Sequence, residues 1–236
     1  MSEAPKTEAD HIATTRDAVL DIAILNAVFD GWGEGALREA VREAQVDPGL
    51  AKLAFPRGAV DLALAFHRRG DTALAARMAS DEMQGLRYSQ KVARALELRI
   101  DVMADQRDAV RKAAAFFALP QNAADGARAV WETADTIWKG LGDSSQDYNW
   151  YTKRATLSAV WSSVVLYWLG DDSPDHARTL DFIERRIDNV MAFEKVKSQI
   201  RDTPMGRAFA AGPGRMLERI KAPTGPRRDL PGYVER

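Results

Sequence analysis

The sequence predicts an all-α protein, a helix-turn-helix unit at the N-terminus followed by a longer helical domain. Apolar residues recur at helical spacing through almost every segment, and no alternating run bounded by hairpin turns competes with them. The chain is also rich in Ala, Arg, Leu and Asp and poor in β-branched runs, which favours helices. With 236 residues, 46% of them hydrophobic and 28% charged, and a net charge of −1, it has the make-up of a soluble globular protein able to bury a sizeable core.

Taken in order, residues 1–11 read as a disordered N-terminus. A first helix is expected over 15–29, with Val19, Ile22, Ala23, Leu25 and Val28 as its core stripe, until "GWGEG" breaks it. A second short helix covers 35–44, and "VDPG" starts a third that runs through Leu53. "FPRG" ends that one, because Pro56 cannot extend it and Gly58 relaxes the turn. A helix over 59–68 completes the helix-turn-helix outline, and "RRGD" closes a unit spanning 12–70. The helical domain, 71–200, follows with helices expected over 72–103, 107–119 (stopped by Pro120), 123–141, 150–169 and 176–200. Asp143 with Ser144, and Ser173 with Pro174, supply cap and first-turn chemistry for the last two. Residues 201–236 form a basic tail: from Lys195 to Arg228 nine Lys or Arg face two acids, Asp202 and Glu218.

The usual catalytic vocabulary is missing. Cysteine is absent, which removes disulfides, thiolate zinc sites and cysteine nucleophiles, and fits a reducing compartment. The histidines His11, His67 and His176 form no HExxH, and Leu64 and Ser173 stand three residues before the latter two, so no Glu-x-x-His pair exists for a di-iron bundle. There is no G-x-S-x-G, no Walker loop and no G-x-G-x-x-G after a strand. No enzyme, catalytic residue, cofactor or metal is therefore expected. No stretch reaches a membrane-spanning length of uncharged residues, and "MSEAPKTEADH" has neither a signal h-region nor an Arg-rich transit helix.

Charge also argues against DNA. Through Arg69 there are eight basic residues against eleven acidic ones, and "DPGLAKLAFP", in the place of a recognition helix, presents only Lys52. No nucleic-acid partner is expected, and the unit reads as retained for structure.

On a helical wheel of the 150–169 helix, Trp150, Leu157, Trp161, Val164 and Trp168 share one stripe, with Ala155, Ser158, Ala159 and Ser162 on a second. Val160 and Tyr167 occupy the rest, so the helix is apolar nearly all round and reads as central. Two readings stay open. One is a core helix with large and small residues interlocked. The other is the wall of an apolar lipid cavity formed by Leu157, Trp161, Val164 and Trp168, with Trp131, Phe116 and Phe117 on preceding helices. His67 beside Arg68 and Arg69 reads as a cationic cluster at a helix C-terminus. Arg154 is expected to pair with Asp143 or Asp147, or to sit over a tryptophan face.

"LGDSSQDYNWYTKRATLSAVWSS", preceded by "DTIW" and followed by "DSPDHARTLDFIERRI", resembles the signature of the ubiquinone-biosynthesis lipid-binding (COQ9-like) family; "DGWGEGALREAV" and "LAFPRG" resemble its N-terminal half. The resemblance covers roughly residues 12–200. It implies a tetracycline-repressor-like fold, a homodimer, and a non-catalytic role in presenting a polyprenyl quinone precursor to the demethoxyubiquinone hydroxylase. In that fold the second unit is a helical ligand-binding domain, and the resemblance implies a bound isoprenoid or phospholipid and no cofactor. Matching positions imply a partner-docking patch of Asp135, Ile137, Trp138, Asp143, Asp147, Asn149, Trp150 and Tyr151. The family also touches membrane near its C-terminus. Here Met205, Phe209, Met216, Leu217 and Ile220 alternate with Arg207, Arg215, Arg219 and Lys221, although Pro213 between two glycines divides the segment. The implied location is cytoplasmic, peripheral at the inner face of a bacterial membrane, or the mitochondrial matrix side in a eukaryote. A ligand-responsive regulator and a lipid-free scaffold stand as the alternatives.

Overall fold

The computed structural model describes residues 7–80, 83–201, 203 and 221–223. Among them are nine α-helices and no strand: α1 Glu8–Asp30, α2 Glu34–Glu43, α3 Pro48–Ala54, α4 Ala59–Met78, α5 Tyr88–Asp101, α6 Arg107–Phe117, α7 Ala123–Gly140, α8 Tyr148–Leu169 and α9 Ala177–Arg201. The expected all-α class holds. Of these helices none is long and apolar enough to cross a membrane. The candidate membrane residues Met205, Phe209, Met216, Leu217 and Ile220 lie outside the described residues.

Local chemistry sets most boundaries. Thr7 and Asp10 form a reciprocal capping box, so α1 starts at Glu8 and the expected disordered leader already contains helix from that residue on. Gly31, at φ 68°, ends it. Asp47 accepts from the amides of Gly49 and Leu50 with Pro48 in the first turn, and so starts α3. The core stripe of α1 is Val19, Leu20, Ala23 and Ala27; Leu25, expected inside, is 71% exposed, and Val28 is exposed too.

α1 packs on α2, α3 and α4 and also reaches α6. Trp32 pins this unit to the rest of the molecule. It is buried, stacks on Phe66 at 4.7 Å, and its indole N–H donates to the Ala109 carbonyl of α6 at 2.9 Å. The second layer pairs α4 with α7, α7 with α8, α8 with α9 and α5 with α9.

Three expectations about the middle of the chain are corrected. "RRGD" does not close a unit: α4 runs unbroken through it to Met78, so the boundary expected after residue 70 falls inside a helix. Gly70 is there for close approach. A Cβ at that position would stand 2.4 Å from Nη1 of Arg99 on α5. The stretch expected as one helix over 72–103 is instead two, α4 and α5, with Gly85 at φ 73° in the connection. α8 is not apolar-buried all round either. Leu157, Val160, Trp161, Val164 and Trp168 are buried, whereas Ala155, Ala159 and Leu166 are exposed.

Candidate functional site

Two places combine chemistry with access: an apolar cavity among α4 to α8, and the corner between α7 and α8. The cavity holds about 290 Å³. Its walls come from Phe66 and His67 of α4, Arg99 of α5, Val110 and Phe117 of α6, Gly126 and Val130 of α7, and Trp161, Val165 and Leu166 of α8. Small side chains on α6 and α7 (Ala113, Ala114, Ala123, Ala127) leave the volume open. At Gly126 a Cβ would meet that of Phe117 at 2.8 Å, so these two helices touch closely beside it.

The cavity opens where its lining is exposed, at Leu166, 68% exposed, and at Ala118, Ala123 and Ala127. The other end is polar. Arg99 is fully buried; its Nε donates to Asp71 Oδ1 at 2.8 Å and its Nη2 to the His67 carbonyl at 3.0 Å. Thr133 donates its hydroxyl to the same Asp71 oxygen at 2.8 Å. The His67 Nε2 lies 2.8 Å from the same Thr133 Oγ1. Burial depresses His67 below the ordinary histidine range, against the pull of Asp71. Burial likewise lowers Arg99, which its ion pair with Asp71 opposes.

Of the seven residues expected to line a cavity, Phe117 and Trp161 do so. Phe116 packs edge-on against Phe117 behind the wall. Val164 and Trp168 are fully buried in the core, the latter against His176 and the Arg107 guanidinium. Leu157 faces a second hollow of about 200 Å³, shared with Tyr88, Trp138 and Ile187. Trp131 belongs to the corner, 5.8 Å from the Trp150 ring. Sequence reasoning missed Arg99, Asp71, His67 and Thr133 as a cluster. The one signal was an Asp four residues after a His on the same helix.

The corner is held by Arg154, whose side chain is 2% exposed. It donates to Asp135 at 2.7 Å, to Asp143 at 3.1 Å and to the Trp150 carbonyl at 3.2 Å, and its guanidinium lies 4.0 Å from the Trp150 ring centroid. Lys153 binds Asp143 from the other side at 2.7 Å. Burial pushes the Asp143 carboxyl up, but hydrogen bonds from Lys153, Ser145 and Arg154 outweigh it and hold the group at about 2. Asp147, not Asp143 or Ser144, caps α8 through the Asn149 amide.

These roles divide the patch. Ile137 is fully buried and Trp138 nearly so, because α7 turns that face into the core; Ile137 offers no surface to a partner. The Asp143 side chain is likewise enclosed by its ion pairs. Asp147 and Tyr151 are exposed, and Asp135, Asn149 and Trp150 partly so. The chain's own tail returns here: the Tyr151 hydroxyl donates to the Lys221 carbonyl at 3.3 Å, and the Ala222 amide to the Gln146 carbonyl at 2.9 Å. Among the described residues no group of three His, Asp or Glu is placed to hold a metal.

A family model described as COQ9 matches residues 123–194, the span of α7, α8 and most of α9. The probable ubiquinone biosynthesis protein coq9, mitochondrial, of Dictyostelium discoideum is 30% identical over 179 residues, 73% of this chain and 58% of that protein. The ubiquinone biosynthesis protein COQ9, mitochondrial, of Homo sapiens is 27% identical over 202 residues, 82% of this chain and 62% of its own. The chain thus spans less than two thirds of the length of these relatives. The crystal structure of a TetR transcriptional regulator from Nitrosomonas europaea superposes with a TM-score of 0.59 at 18% identity, over 74% of this chain and 97% of that one. That likeness concerns the fold alone.

Proposed function

Because the chain belongs to the COQ9-like ubiquinone-biosynthesis family and carries a TetR-like fold, we propose that it is a non-catalytic lipid-binding accessory protein of that pathway. In this reading it holds a polyprenyl quinone precursor and presents it to the hydroxylase that acts on it. The observation that carries the reading is the cavity, apolar along its length, open beside Leu166 and polar only at its inner end. About 290 Å³ is close to the lower bound of roughly 300 Å³ for small-molecule sites. It suits a ring and a short stretch of tail, with a longer tail leaving through the mouth.

The proposed docking surface is the exposed part of the corner: Asp147, Asn149, Trp150 and Tyr151, with Asp135 at its edge. A rigid aromatic pair, Trp150 and Tyr151 at 4.8 Å, set among acids, has the make-up of an interface hot spot. Homodimer formation and peripheral membrane contact through the basic tail complete the proposal, at the inner face of a bacterial membrane or on the matrix side of a mitochondrial one.

Native extraction tests it: the purified protein is stripped with organic solvent and bound molecules are identified by mass spectrometry. A stoichiometric isoprenoid quinone precursor is expected. An empty protein that also fails to take up added quinone would overturn the lipid-binding reading and leave a lipid-free scaffold. Trp150→Ala is expected to weaken capture of the hydroxylase with bound lipid unchanged; equal capture would remove the docking role.

A further inference from the structure

The corner proposed as a docking surface is not bare, because part of this chain already lies on it. Lys221, Ala222 and Pro223 cross it with no helix or turn of their own. The Ala222 amide donates to the Gln146 carbonyl at 2.9 Å, and the Tyr151 hydroxyl donates to the Lys221 carbonyl at 3.3 Å. The first bond has ordinary length and the second is long. Lys221 also shares a shallow hollow with Ser145, Gln146, Asp147 and Asn149.

Pro223 explains why this stretch suits the corner. A residue before proline is held away from helical backbone and toward the extended region. Ala222 therefore presents its N–H with less freedom to lose on being fixed. It is half-buried, while Lys221 and Pro223 are exposed. Charge favours the same placement. Asp135 and Asp143 already have cations, whereas Asp147 accepts only from Asn149 in its own turn among the described residues. The segment beside it belongs to the cationic end of the chain, with nine Lys or Arg against two acids over residues 195–228.

Two groups of the corner are engaged in this way. The Tyr151 hydroxyl is the polar tip through which an interface tyrosine finds a hydrogen-bond partner. The Gln146 carbonyl is an acceptor at the entrance to α8. A protein docking over Asp147, Asn149, Trp150 and Tyr151 meets the tail at both places.

We infer that residues 221–223 are a resident occupant of the corner and that a partner docks there by displacing them. The inference rests on the corner being the docking surface and adds an internal competitor. It also names the kind of segment that surface accepts: an extended stretch with a basic residue and a backbone restricted by proline. The affinity seen by a partner is then its intrinsic affinity multiplied by the fraction of chains whose corner is free.

The test measures binding of the purified hydroxylase to the full chain by biolayer interferometry, without membrane. Ala222→Pro deletes the N–H given to Gln146 and keeps an extended backbone, leaving every residue of the corner in place. Lys221→Glu sets an acid beside Asp147. Each is expected to bind the hydroxylase about fivefold more tightly than the unaltered chain, the factor for one net hydrogen bond. Trp150→Ala, made in the Ala222→Pro chain, reports on the docking surface separately and is expected to weaken binding. If it does so while both tail variants bind like the unaltered chain, the tail inference falls and the docking surface stands. Weaker binding by Ala222→Pro would make the tail part of the partner's seat and overturn the competition. If Trp150→Ala changes nothing, the docking surface falls and this inference with it. Both tail substitutions lie outside the helices, so loss of the fold does not blunt the comparison.

Discussion

Replacing Arg154 by Met is the sharpest perturbation of the corner. The side chain is 2% exposed, and Met keeps much of its apolar stem while removing the guanidinium. Three things are lost: the ion pair to Asp135 at 2.7 Å, the pair to Asp143 at 3.1 Å, and the stacking over Trp150 at 4.0 Å. Breaking a buried pair by deleting one partner typically costs about 3–5 kcal/mol, because the other charge stays buried. Here both acids keep a second cation, Asp135 through Lys139 at 2.6 Å and Asp143 through Lys153 at 2.7 Å. The expected loss is therefore at the lower end, about 3 kcal/mol. At roughly 2–4 °C per kcal/mol for a chain of this size, the melting temperature falls by about 6–12 °C. Urea unfolding should show the midpoint shift with an unchanged slope. A cycle with Asp143→Asn should give a coupling of about 1 kcal/mol or more. A loss below about 1 kcal/mol for Arg154→Met would refute the reasoning and make the pair incidental to the fold.

Other perturbations read other parts of the molecule. Asp143 and Asp171 both have folded pKa values below their unfolded ones. Burial raises each, but hydrogen bonds outweigh it: from Lys153, Ser145 and Arg154 at Asp143, and from Thr179 and Ser173 at Asp171. Their contribution is full above about pH 4 and is lost as pH falls toward 2. Melting curves between pH 5 and 2 should fall in that window, and Asp143→Asn should flatten the drop. Gly70→Ala separates two effects of opposite sign. Helix propensity alone predicts a gain of about 1 kcal/mol, whereas contact with Arg99 Nη1 at 2.4 Å predicts a net loss. A higher melting temperature would contradict the close-approach account. Truncation after Thr203 is expected to abolish sedimentation with anionic vesicles; sedimentation of the shortened chain would move membrane contact elsewhere.

Helices and their punctuation were legible because their causes are local. Asp47–Pro48, Gly31 and Pro120 act within a turn or two of where they stand. The misreadings share a different cause. Gly70 looks like a terminator in sequence, and what explains it is Arg99, on another helix. The stripe on α8 correctly grouped Leu157, Trp161, Val164 and Trp168 on a buried face, but a wheel does not say which neighbour each meets. Only Trp161 of the four reaches the cavity, whose other α8 walls, Ser162, Val165 and Leu166, come from the adjacent face. The corner was legible as unusual chemistry, and half of that chemistry serves structure. Arg154 and Lys153 consume Asp143, and Asp147 caps a helix. What stays open at the surface is Trp150 and Tyr151, with Asp147, Asn149 and Asp135 around them.

The helix-turn-helix unit shows the same commitment of charge to internal work. Arg57 pairs with Asp61 and, across to α7, with Asp125; Arg68 pairs with Glu132 on the same helix. Arg69 reaches Asp17 and Asp21 on α1, Arg42 pairs with Glu39, and Arg16 donates to the Ala54 carbonyl. A phosphate backbone would have to compete with a carboxylate for four of these five guanidinium groups. α3, where a reading helix would stand, turns Leu50 and Leu53 outward beside Lys52. Such a surface predicts weak duplex binding with a shallow salt dependence, since few phosphates are neutralised and few counterions released. Fluorescence anisotropy with a labelled duplex at 50 and 200 mM salt measures both. An affinity falling by about a thousandfold between these concentrations would signal six or more phosphate contacts. The unit would then be a working DNA reader, and the regulator reading would displace the lipid accessory.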